Sequence, residues 1–327
     1  MKAWTIPGFE GLASLDLTTD FPDPTPAEGE VLLRLEFAAL NPADYYLAEK
    51  QYPAKPRFPH ILGRDGAGTV AALGAGTSRF KVGDRVTILR GEAGVNTPGT
   101  LAAFVAIPED RLALVPDKWS MAESAAAPLT FLTAWQALTC WGPVPAESWV
   151  LVTGASGGVG VGSIQLARAL DLRPIALSRG PEKVTALLQL GAEKVLDPTD
   201  PAVADQIRAI TGPRGVSLAI DNVGGEFFNT MLGVLADRGA ISCVGRLAGP
   251  VPEFNTARIF FKRLRIGGVS VGAYTPGEAQ EYWSRIVTLL GDRRPVIDRI
   301  FPFAETPMAF ARLKQGPLGK VVIGIDA

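Results

Sequence analysis

The chain has 327 residues, 47% apolar and 20% charged, with 32 Lys and Arg against 33 Asp and Glu. That length suits about two domains, the composition excludes disorder, and a net charge of -1 gives no electrostatic case for nucleic acid or an anionic membrane surface. One histidine, His60, and two cysteines, Cys140 and Cys243, argue against a disulfide scaffold, a thiolate zinc site, a Ser-His-Asp triad and a multi-histidine metal centre.

In chain order, the N-terminus lacks the apolar core of a signal peptide because Pro7, Glu10 and Asp16 interrupt it. The first 120 residues read as short strands and turns, with strands over 31–37, 68–73 and 85–89 and helical periodicity confined to 43–49. After Met121 the texture changes. A helical stretch over 124–138 leads to a strand at 149–153, a Gly-rich loop, a helix to Leu170 and a strand at 174–177. A helix over 182–190 stops at Gly191. A strand at 216–221, a helix at 226–236 and strands at 240–244 and 264–271 follow. Strands alternating with helices predict an α/β fold with a doubly wound parallel sheet. The tail reads as a helix over 277–290, a strand over 296–301, a helix over 307–314 and a strand over 319–326. Periodicity leaves open whether this tail extends the sheet domain or returns to the first. Two uncharged stretches, 124–146 and 148–167, are broken by prolines and glycines respectively and do not read as membrane spans. A cytoplasmic protein is expected.

The strongest chemical signal is VLVTGASGGVG, from Val150 to Gly160. An apolar strand runs into glycines that open a helix, and Ala155, Gly157 and Gly160 fill the three positions of a dinucleotide fingerprint. Gly157 lets the backbone approach a pyrophosphate, Gly160 lets helix and strand pack closely, and the phosphates sit on free N–H groups. The end of the second strand reads SRGPEK, with no acid before Glu182. Ser178, Arg179 and Lys183 suit a 2'-phosphate, which favours NADPH over NADH, although Arg179 as a solvated surface residue stays open.

His60, in FPHILGRDGAG, reads more readily as packing or surface than as catalytic. Arg64 and Asp65 are expected to pair with each other or to bind backbone rather than to meet substrate. Catalytic zinc needs three protein ligands that this chain does not offer. In NPADYYLAEKQYP, residues 41–53, a tyrosine can hold a carbonyl oxygen and supply a proton as charge develops there. Equally, Asn41 and Asp44 can simply cap a short helix while the tyrosines pack.

Together these residues resemble the zinc-free quinone oxidoreductase branch of the medium-chain dehydrogenase/reductase superfamily. Asn41, Asp44, Tyr46 and Tyr52 fit its Asn-x-x-Asp-x-Tyr pattern with a second tyrosine, and GRDGAGTV, residues 63–70, puts Arg64 where zinc-dependent relatives carry a ligand. LTFLTAWQAL, GASGGVG and the terminal GKVVIGID also match. The resemblance implies a GroES-like, β-rich catalytic domain from residues 1–120 and 272–327, with a Rossmann NADPH-binding domain, 121–271, inserted between. It implies cofactor contacts at Thr133, Ser156, Gly157, Gly158, Val159, Ser178, Arg179, Lys183, Asn222, Val244, Gly245, Arg246, Gly268, Val269, Ser270 and Lys320. Asn41, Tyr46 and Tyr52 would face nicotinamide and substrate, and a homodimer would form through the 264–271 strand. The implied activity is zinc-independent hydride transfer from NADPH to a quinone or α,β-unsaturated carbonyl compound. Two alternatives are an enoyl-CoA or acrylyl-CoA reductase and, in another class, a non-catalytic dinucleotide-binding sensor or RNA-binding protein.

Overall fold

A computed structural model describes residues 1–250 and 253–325. The chain divides into two units, one of Met1–Leu129, Gly272–Ser284 and Arg294–Ala327, the other of Thr130–Val271 and Arg285–Arg293. Among the described residues no helix is long and apolar enough to cross a membrane.

In the first unit the Glu30–Ala39 strand is the spine. Val31, Leu33 and Leu35 are fully buried while Arg34 between them is exposed, the period-two pattern of a half-buried strand. It pairs antiparallel with Asp65–Leu73, Phe104–Pro108 and Lys320–Gly324. The resulting seven-stranded sheet also holds Ile297–Pro302, Arg85–Ile88 and Leu112–Leu114. The tail therefore returns to the N-terminal strands, because Val321 and Ile323 share one apolar core with Leu33 and Leu35. The strand ends at Gly324, and Asp326 lies outside the described residues.

The second unit carries a six-stranded, all-parallel sheet. Its order is Lys194–Leu196, Arg173–Leu177, Trp149–Val152, Val216–Asp221, Leu235–Cys243 and Arg265–Gly268. In chain order that is 3-2-1-4-5-6, a doubly wound arrangement whose order reverses beside the Trp149–Val152 strand.

Several expected elements differ in extent. The stretch 124–138 is two helices, Met121–Ala126 and Pro128–Thr139, since Pro128 has no N–H to continue the first helix and is well placed to start the second. The helix expected to reach 236 ends at Val234. Leu235 turns extended there and is buried against Val216 as the next strand begins. The strand expected over 264–271 is only Arg265–Gly268, the length over which Ala240–Cys243 offers partners. The Lys194–Leu196 strand and the helices Val203–Thr211 and Ala257–Lys262 are additional.

Candidate functional site

In the first unit the chemistry gathers around the Pro42–Ala48 helix. Asp44 caps it, its Oδ2 accepting from the Asn41 backbone N–H at 2.7 Å. The Asn41 side chain belongs to a buried cluster. Lys320 Nζ donates to Asn41 Oδ1 at 2.7 Å and to Asp65 Oδ2 at 2.9 Å, while Asn41 Nδ2 donates to Asp65 Oδ2 at 2.9 Å and to Ala39 O at 3.3 Å. Both N–H donors of the Asn41 amide are thus engaged. Asp65 Oδ1 also accepts from the Leu129 N–H at 3.3 Å.

Arg64 and Asp65 do not pair with each other. They are adjacent where an extended strand begins, so their side chains leave on opposite sides, and each finds its own partner. Arg64 Nε lies 3.5 Å from Asp44 Oδ1, its Nη2 donates to Ala43 O at 3.4 Å, and its guanidinium sits 4.1 Å from the centre of the Tyr52 ring. Burial pushes the Asp44 carboxyl up to about 6, against the pull of Arg64, the Asn41 N–H and Lys320.

The three tyrosines of this segment separate by environment. Tyr45 meets Tyr46 edge-on at 4.6 Å, and burial followed by a hydrogen bond to Tyr46 raises the Tyr45 phenol. Tyr52 is half-buried, packs on the core, and its hydroxyl has no hydrogen-bond partner among the described residues. Of the two candidates, Tyr52 has its whole hydroxyl to offer, whereas the Tyr46 oxygen already meets Tyr45. His60 pairs through its strand with Ile6 and is 1% exposed; burial pushes its imidazole down to about 4, so it stays neutral. It is a packing residue.

In the second unit the expected cofactor residues, Thr133 apart, follow the carboxyl ends of neighbouring strands or open the helix behind one of them. Ser156–Val159 follow Trp149–Val152; Ser178, Arg179 and Lys183 follow Arg173–Leu177; Asn222 follows Val216–Asp221; Val244–Arg246 follow Leu235–Cys243; and Val269 and Ser270 follow Gly268. Thr133 lies on the Pro128–Thr139 helix. Ligands of open parallel sheets bind at this edge, beside the reversal in strand order.

The loop is built for close approach. Gly154 has φ 56°, which favours glycine. A Cβ on Gly160 would lie 2.4 Å from Gly154 O and 2.6 Å from Ala155 Cα, so the tight loop-to-helix packing admits only glycine there. Gly157 is the N-cap of the Gly158–Ala169 helix, which has no acid in its first turn and therefore leaves its N–H groups for an anion. Beside it, Asn222 Nδ2 donates to Thr153 O at 2.8 Å, while Asn222 Oδ1 is buried without a partner among the described residues. An orphaned acceptor is rare in a protein interior. Together with the glycine approach, it fits a dinucleotide's hydroxyl or amide donors. Ser178 is 7% exposed and Arg179 is exposed at the end of the second strand.

Lys320 stands apart from the other expected cofactor residues. It belongs to the first unit, in the cluster with Asn41 and Asp65. Asp65 was not anticipated as a site residue, because its partner lies 255 positions away in the sequence.

Two family descriptions match the chain: an alcohol dehydrogenase GroES-like domain over residues 27–117 and a zinc-binding dehydrogenase over residues 158–288. The quinone oxidoreductase of Lama guanicoe is 31% identical over 99% of this chain and 97% of its own. Among solved structures, an NAD-dependent alcohol dehydrogenase is similar with a TM-score of 0.91 at 30% identity, covering 100% of both chains. Escherichia coli quinone oxidoreductase complexed with NADPH is similar with a TM-score of 0.90 at 25% identity, over 99% of this chain and 100% of that one. The chain is an oxidoreductase of the medium-chain dehydrogenase/reductase superfamily and belongs to its quinone oxidoreductases. Among the described residues, no three His, Cys, Asp or Glu side chains converge to hold a metal.

Proposed function

We propose that the protein uses NADPH to reduce a quinone or an α,β-unsaturated carbonyl compound, without a metal ion. The observation that carries this reading is the series of strand-end sites around Gly157, with Arg179 after the second strand, Lys183 beyond it and no acid before Glu182. A 2'-phosphate suits that charge, since an Arg fork binds phosphate through paired hydrogen bonds. The likeness to an NADPH-bound quinone oxidoreductase supports the same choice.

NADPH, when bound, supplies the hydride. Gly157 and the N-terminal N–H groups of the Gly158–Ala169 helix hold its pyrophosphate. Ser178, Arg179 and Lys183 hold the 2'-phosphate, and Thr133, Asn222, Val244–Arg246 and Gly268–Ser270 line the remaining contacts. Tyr52 donates a hydrogen bond to the acceptor's carbonyl oxygen as negative charge grows on it, an effect worth ~3–4 kcal/mol for a well-placed donor. Asn41, with both its donors engaged, contributes through its place beside Lys320 and Asp65. The metal-free reading is supported by the donor set, because Asn41 and Arg64 are not zinc-ligand types. The outer edge of the sheet, at Arg265–Gly268, is where a second copy would pair.

Steady-state oxidation of NADPH and of NADH with 1,4-benzoquinone and with crotonyl-CoA tests the reading. NADPH consumption that depends on one of these acceptors is expected. Tight NADPH binding without turnover on any acceptor would instead make the protein a cofactor sensor.

A further inference from the structure

Tyr52 lies outside every regular element. It falls between the Pro42–Ala48 helix and the His60–Ile61 strand, and the backbone bonds beside it run from Gln51 N–H to Tyr46 O at 2.7 Å and from Ala54 N–H to Tyr52 O at 2.8 Å. A ring on such a segment has little local structure to fix the direction of its hydroxyl. The guanidinium of Arg64, 4.1 Å from the ring centre, supplies a face to rest on.

Arg64 is held mainly by charge, since its Nε and the Asp44 Oδ1 that it faces make no hydrogen bond among the described residues. Its side chain is only 10% exposed, Asp44 lies at 3.5 Å and Ala43 O accepts from it at 3.4 Å. Both anchors belong to the first turn of the Pro42–Ala48 helix, and the Asp44 carboxylate is fixed in turn by the Asn41 N–H. A buried planar cation offers the ring a face on which to rest. The contact also explains why a long cationic side chain is buried here beside a carboxylate that has one other polar partner.

We infer that Arg64 is a positioning residue for Tyr52: it holds the phenol ring so that the hydroxyl meets the acceptor oxygen. This rests on the assignment of Tyr52 as the hydrogen-bond donor in the proposed reduction. Arg64 touches neither cofactor nor reacting atoms in this role. It acts through the ring.

A double-mutant cycle between Arg64 and Tyr52 tests the inference, read as kcat and as KM for acceptor and for NADPH separately. Arg64→Met leaves the buried Asp44 carboxylate unpaired, so the same cycle is run with Asp44→Asn present throughout, which removes that charge. Arg64→Met should lower kcat by about two- to thirty-fold, the range spanned by contacts of this kind, with KM for NADPH unchanged. Arg64→Lys should restore part of the loss, since an ammonium can still lie over the ring but offers no plane. In the Tyr52→Phe background, Arg64→Met should cause no further loss. Equal losses in both backgrounds would overturn the inference and leave Tyr52 in place. Wild-type turnover by Tyr52→Phe would instead remove the Tyr52 assignment, and the inference with it.

Discussion

Lys320 Nζ lies 2.9 Å from Asp65 Oδ2, and their side chains are 5% and 1% exposed. The pair ties the last strand of the chain to the Asp65–Leu73 strand at a place where water cannot stand in for either partner. Removing one member of a buried pair leaves an uncompensated charge, so Lys320→Met should destabilise the protein by about 3–5 kcal/mol. The loss should appear as a lower denaturant midpoint with an unchanged slope. Replacing both, with Asp65→Leu added, should recover part of it.

Asp44 should make stability pH-dependent in an unusual direction. Its carboxyl is held at about 6 in the folded chain against an ordinary 3.8. Between those values the folded state binds the extra proton, so this group's contribution falls as pH rises. The full effect, roughly 3 kcal/mol from the difference between the two values, is present above about pH 6. Burial sets it; Arg64, the Asn41 N–H and Lys320 oppose it and Asp65 adds to it, and their influence is already inside the net shift. Asp44→Asn keeps an acceptor for the Asn41 N–H but does not titrate. Measured by denaturant titration, the variant should gain on wild type from pH 3.8 to about 6 and hold a constant lead above it. A difference that does not vary with pH would remove Asp44 as the titrating group.

Arg179→Asp should separate the two nicotinamide cofactors. Losing a charge-assisted hydrogen bond to the 2'-phosphate, and adding a like charge, should weaken NADPH by about 10- to 100-fold. NADH, which lacks that phosphate, should be nearly unaffected in the same fluorescence titration. Equal losses would remove Arg179 from the 2'-phosphate site, and no loss with either cofactor would make it a solvated surface residue.

The two loop glycines should fail differently. The Cβ of Gly160→Ala meets backbone at 2.4 Å, so loop or helix must shift, lowering thermal stability by about 1–3 kcal/mol and NADPH affinity with it. At Gly157 the nearest atom to an added Cβ is 3.5 Å away. Gly157→Ala should therefore keep its melting temperature and lose cofactor affinity alone, through the space the phosphates need.

How much of this was legible follows the range of the interactions. The strand, loop and helix from Val150 to Gly160 announce themselves within eleven residues, and the alternation of strands and helices around them gives the parallel sheet. The Val203–Thr211 helix also carried a signal, since Val203, Ile207 and Thr211 are buried at helical spacing. The Lys194–Leu196 strand did not. Three residues, none of them fully buried, are too short to show a period. The least legible feature is the Lys320, Asn41 and Asp65 cluster. Its members lie up to 279 positions apart, and no local pattern marks a lysine that will be buried. Arg64 and Asp65, being adjacent, suggested a pair by proximity, but strand geometry sends adjacent side chains to opposite sides.

Delivery of hydride to a carbon conjugated with a carbonyl is tested most directly by isotopic labelling. NADPH deuterated at the transferred C4 position would be incubated with the protein and an α,β-unsaturated ketone, and the product examined by NMR. A saturated ketone with deuterium on the β-carbon is expected, with turnover that survives dialysis against a chelator. An allylic alcohol with deuterium on the former carbonyl carbon, formed only when zinc is restored, would contradict it.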